Sequence, residues 1–70
     1  MDFLEAAVSV LREEHQPLHW TVIQDLALQR GYLDPFKQSD IRKNLLTALA
    51  HGVEEGAITK VSRGVYALND

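Results

Sequence analysis

The hydrophobic pattern of this chain changes its period once, at Gly56, and that change limits the architectures open to it. Before it, apolar residues recur at helical spacing. After it, two short β-branched and aromatic runs, Ala57-Ile58-Thr59-Lys60-Val61 and Val65-Tyr66-Ala67-Leu68, flank Ser62-Arg63-Gly64. Such runs around a three-residue loop predict a β-hairpin, with Gly64 where a left-handed residue is wanted. Alternation is imperfect, because Ile58 and Val61 cannot share one face of a regular strand, and a bulge near the turn would reconcile them.

Three amphipathic segments precede the hairpin. The first opens with Asp2 as N-cap and Glu5 at the capping-box spacing, and Phe3, Leu4, Ala7, Val8, Val10 and Leu11 fall on one arc of its wheel. It must stop before Pro17, leaving residues 16–20 as a short extended bridge. Thr21, with Gln24 at the capping-box spacing, starts a second helix that buries Ile23, Leu26 and Ala27 and ends at Gly31. Leu28 lies off that arc, packed on the next loop or exposed. That loop is broken by Asp34-Pro35, and Tyr32 and Phe36 are expected to close the core beneath it. Ser39 or Asp40 caps a third helix whose apolar arc holds Ile41, Leu45, Leu46, Ala48, Leu49, Ala50 and Val53. Gly52 inside its apolar side predicts close approach of another element; the alternative is an end at His51. The pattern therefore predicts helices near 2–15, 21–30 and 40–55 and a hairpin over 57–68. The expected core is Phe3, Val10, Leu11, Ile23, Leu26, Ile41, Leu45, Leu49, Ile58, Tyr66 and Leu68.

Seventy residues close one core, so residues 1–70 are read as a single domain. At 46% apolar residues the chain is too hydrophobic for disorder, and at this size its stability is expected to be only about 3–5 kcal/mol. There is no cysteine and no apolar run of membrane-spanning length, and the acidic start lacks the basic region of a signal peptide. A cytoplasmic, nucleoid-associated location is expected, or a nuclear one in a eukaryote, with no membrane partner. His15, His19 and His51 do not make a metal-ligand spacing, and no phosphate loop or nucleophile elbow is present. The expectation is a non-enzyme without cofactor, metal or small-molecule substrate, with His19 a partly buried histidine of the bridge.

Helix, bridge, helix, loop, helix, hairpin is an α+β order, mostly α. It is that of a winged helix-turn-helix with three helices plus a C-terminal two-stranded β-hairpin. Ala6-Ala7-Val8-Ser9-Val10-Leu11, Gln16-Pro17-Leu18-His19-Trp20 followed by Ile23, Ala27-Leu28-Gln29-Arg30-Gly31 and Gly64-Val65-Tyr66-Ala67-Leu68 resemble the HARE-HTH family of winged helices. That family includes the amino-terminal domain of the RNA polymerase delta subunit, modules of restriction systems and the additional-sex-combs-like proteins. The resemblance spans the chain but departs between Tyr32 and Leu45, where Ser39-Asp40 stands in place of the family's Thr-Pro helix start. It implies a module of transcription or chromatin regulation, acting on DNA or attached to transcription machinery.

Net charge is −3, unevenly spread: −4 over residues 1–36 and +1 over residues 37–70. The cationic half predicts double-stranded DNA as partner, with the third helix in the major groove and the wing on the backbone. Lys43, Asn44, Thr47 and His51 share the polar face of that helix, and Lys37, Arg42, Lys60 and Arg63 flank it as phosphate contacts. Asp40, Glu54 and Glu55 stand on the same face and oppose this. The alternative is an acidic adaptor, with Asp2, Glu5, Glu13, Glu14, Asp25 and Asp34 docking onto RNA polymerase or another basic complex. Leu28, Tyr32 or Phe36 would be its apolar anchor.

Overall fold

Asp2 accepts the Glu5 backbone N–H at 2.8 Å while the Glu5 carboxylate accepts the Asp2 N–H at 3.3 Å, and this capping box opens α1 (Phe3–Glu14). The computed structural model describes residues 1–69, continuing with β1 (Leu18–His19), α2 (Trp20–Gln29), α3 (Ile41–Glu54), β2 (Ile58–Ser62) and β3 (Val65–Leu68). The helices lie within about a residue or two of their expected bounds.

Both glycine stops work as expected. Gly31 (φ +75°) donates to the Leu28 carbonyl and Tyr32 to that of Ala27, while Gly56 (φ +81°) donates to Val53 and Ala57 to Gly52. These paired bonds satisfy the last carbonyls of α2 and α3 in the Schellman arrangement. The α1 start is as expected, but the capping contacts of α2 and α3 differ. Thr21 does not cap α2; His19 does, its Nδ1 accepting the Thr21 backbone N–H at 3.3 Å and standing 2.8 Å from the Thr21 hydroxyl. The imidazole nitrogen takes the N–H of Thr21 itself, an orphan donor one turn earlier than the one a Thr21 hydroxyl cap would have satisfied. His19 is accordingly exposed, not partly buried. At α3 Asp40 occupies the cap position in a left-handed conformation and makes no side-chain cap bond.

The sheet has three antiparallel strands in the order β1-β3-β2, not two. The bridge after α1 pairs with the far end of the chain, Leu18 with Tyr66 and His19 with Val65. Two residues are too short to leave a period in the sequence, and their partner is remote from them. The hairpin turn is also tighter than expected. Ser62 pairs with Val65, so only Arg63 and Gly64 turn the chain, and the register shifts between Lys60 and Ser62. The bulge is thus present, but it leaves Val61 exposed rather than returning it to the core.

The core joins Ala6, Ala7, Val10 and Leu11 of α1 to Ile23 and Ala27 of α2, Leu45 and Leu49 of α3, and Leu18, Ile58 and Tyr66 of the sheet. Phe3, Leu26, Ile41 and Leu68 pack against it half-buried. Gly52 is buried where a β-carbon would lie 2.8 Å from Ile58 and 3.0 Å from Leu4, which is the close approach its position implied. Beneath the α2–α3 loop the filler is Leu33. Tyr32 is half-buried and Phe36, expected inside, is 97% exposed.

Candidate nucleic-acid interface

Arg42 is exposed in the first turn of α3, and its guanidinium lies 5.7 Å from the centre of the Trp20 ring, within cation–π range. Trp20 opens α2, and its backbone N–H donates to the Gly64 carbonyl at 2.8 Å. The wing turn therefore rests on the start of α2, with Gly64 against the His19 ring and Arg63 beside it. Arg42 and Arg63, far apart in sequence, are drawn to one end of the molecule. Lys43 and Thr47 are exposed on the outward side of α3. Lys60 is exposed opposite Tyr66, on the sheet face that covers the helices. Trp20 and Gly64, which assemble this end, carried no sequence signal for it; their contact is purely tertiary.

The rest of the expected site lies elsewhere on α3. Asn44 is half-buried, and its amide donates to the Ser39 carbonyl at 2.9 Å. The Thr47 hydroxyl donates to the Lys43 carbonyl at 3.0 Å. His51 Nε2 stands 3.1 Å from the Glu55 carboxylate. Asn44, Thr47 and His51 together line a shallow groove against Asp2, Phe3 and Leu4 of the α1 start. Lys37 is exposed in the α2–α3 loop.

Two of the acids read as a docking surface already have partners. Arg30 bridges Glu13 at 2.7 Å and Glu14 at 2.6 Å, and the Tyr32 hydroxyl donates to Glu13. The bond to Glu14 holds the Arg30 guanidinium above its usual range against the opposing effect of desolvation, with the Glu13 bond and the charges of both carboxylates adding to the rise. The Glu13 hydrogen bond raises the Tyr32 phenol likewise. This cluster ties the C-terminal end of α1 to that of α2, about 15 Å along α2 from Trp20 at the helical rise per residue. Glu13 and Glu14 thus stand away from the Arg42 end and are partly neutralised within the molecule.

Among the described residues no helix is long and apolar enough to cross a membrane, and no group of three His, Asp or Glu side chains could hold a metal ion. Comparison with curated proteins and with solved structures finds no match. The family model of the HARE-HTH domain, whose description names the helix-turn-helix domain of ASXL proteins and restriction endonucleases, matches residues 1–70. Fold, element order and this match agree, and the chain belongs to the HARE-HTH family of helix-turn-helix domains.

Proposed function

We propose that the domain binds double-stranded DNA, as a module of transcription or chromatin regulation, with α3 in the major groove and the wing on the adjoining backbone. The observation that supports this reading is the contact chain Arg42–Trp20–Gly64, which brings the first turn of α3 and the wing turn together at the start of α2. Arg42, Lys43, Lys60 and Arg63 are the phosphate contacts. Thr47 faces the base edges from the outward side of α3, whereas Asn44 must release the Ser39 carbonyl before it can read a base. Lys37 and His51 stand at the margins of this surface. Glu54, exposed on α3, limits affinity by repelling phosphate.

Fluorescence anisotropy with a labelled duplex, at salt from about 50 to about 200 mM, tests this directly. Four phosphate contacts imply a slope of log K against log salt of about −3.6, and Arg42→Ala or Arg63→Ala should each reduce it by about 1. Glu54→Gln should tighten binding. A slope untouched by both arginine variants refutes the assignment and returns the adaptor reading, attachment to RNA polymerase or another complex, to first place.

A further inference from the structure

We infer that Phe36 is the knob of a weak, reciprocal self-association, seated in the α1–α3 groove of a second copy of this chain. Phe36 is 97% exposed, yet its loop is clamped. Its N–H donates to the Asp34 carboxylate at 2.9 Å. The Lys37 and Gln38 N–H groups donate to the Asp34 carbonyl, and the Asp34 N–H donates to the Gln38 side chain at 2.8 Å. The ring is thus presented on backbone ordered at folding, so seating it costs little further entropy. A fixed, protruding aromatic is the usual anchor of an interface.

The groove supplies the matching hole. It is an open depression of about 710 Å³, with Phe3, Leu4 and Ala48 as apolar lining and the carboxylates of Asp2 and Glu55 among its polar groups. Knob and hole adjoin. Gln38 donates to the Met1 carbonyl at 3.1 Å and Asn44 to that of Ser39, so the loop borders the groove at one end. Adjacent, complementary features on one face can satisfy each other about a two-fold axis, which closes the assembly at two copies. Charge is divided: Lys37, next to the knob, meets the Asp2 and Glu55 carboxylates of the partner's groove, while Asp34 and Asp40 of the same loop oppose them and keep the association weak. The same acids, with Asp34 and Asp40 in the loop, would repel phosphate, which disfavours DNA as the occupant. The groove lies on the α1 side of α3, whereas Arg42 meets Trp20 on the α2 side; it shares Asn44, Thr47 and His51 with the surface read as facing DNA but none of the four phosphate-contacting cations. Two rings and the surfaces they cover bury only about 800 Å² in total, short of a stable interface, so the dimer forms in the range from about 0.1 to about 1 mM.

The test is sedimentation of the intact chain up to about 1 mM, together with a mixed sample for NMR. One population carries a spin label on Ser39→Cys, at an exposed position in a chain without other cysteines, and the other carries ¹⁵N. Weight-average mass should rise toward the dimer, and the ¹⁵N chain should lose intensity at Leu4 and Ala48. Phe36→Ser should weaken association at least tenfold without changing the thermal melt, since the ring touches no core residue. A monomer throughout, broadening elsewhere, or a Phe36→Ser variant that associates normally but loses duplex-DNA affinity overturns the proposal.

Discussion

A β-carbon at Gly64 meets two separate obstacles, and they can be measured apart. Gly64 has φ +75°, a conformation that costs a non-glycine residue about 1–2 kcal/mol. Its added carbon would also lie 2.8 Å from His19 Nε2 and 3.1 Å from His19 Cδ2. That ring cannot swing away freely, because its Nδ1 holds the Thr21 N–H at the start of α2. Displacing it forfeits a helix cap, about another 1 kcal/mol. Gly64→Ala should therefore cost about 2–3 kcal/mol, a large part of the roughly 3–5 kcal/mol expected of a domain this small. At about 4–8 °C per kcal/mol, the melting temperature should fall by about 10–20 °C by circular dichroism. Gly31→Ala is the control, with the same φ of +75° and nothing within 4 Å of its added carbon; it should cost only the backbone strain. In a His19→Ala background Gly64→Ala should cost about 1 kcal/mol less than in the native chain, a coupling measurable by a double-mutant cycle. Equal costs at Gly64 and Gly31, with no coupling to His19, would refute the idea that the wing turn rests on the α2 cap.

Gly52→Ala improves helix propensity by about 1 kcal/mol but presses its carbon to 2.8 Å from the fully buried Ile58 and 3.0 Å from Leu4. Overpacking should win, with a net loss of about 1 kcal/mol in urea unfolding. His15 ends α1 at φ +56°, exposed, so His15→Gly should raise stability by about 0.5–1 kcal/mol. Because Glu13 raises the Tyr32 phenol above its unfolded value, the stability linked to this hydrogen bond is fully present below the unfolded phenol range. It is lost as pH rises through the folded value. Melting temperatures followed from neutral to strongly alkaline pH should therefore fall more for the native chain than for Tyr32→Phe; parallel curves would contradict the bond.

The helices were legible because their causes are local. Asp2 with Glu5, Gly31 and Gly56 act within one turn of chain, and the apolar arcs of α1 and α3 are properties of spacing alone. Gly52 and Gly64 could be marked as places where a side chain would not fit, although not what they would meet. The exposure of Lys43, Lys60 and Arg63 also followed from pattern. Part of what stayed hidden depended on residues remote in the chain, and part on neighbouring side chains competing for the same partners and space. A two-residue strand has no period, so β1 existed only once β3 lay beside it. Leu33 and Phe36 are both apolar residues of one loop, and which of them turned inward was decided by the Asp34–Gln38 clamp and the space left beneath it. The candidate site divides in the same way. The residue types were visible in the sequence, whereas the meeting of Arg42 with Trp20 and the withdrawal of Asn44 toward Ser39 were not. Caps and periodicity act over a few residues, so they can be read from the chain itself. Packing and the joining of remote charges depend on how the assembled elements share space, and only the tertiary structure decides that.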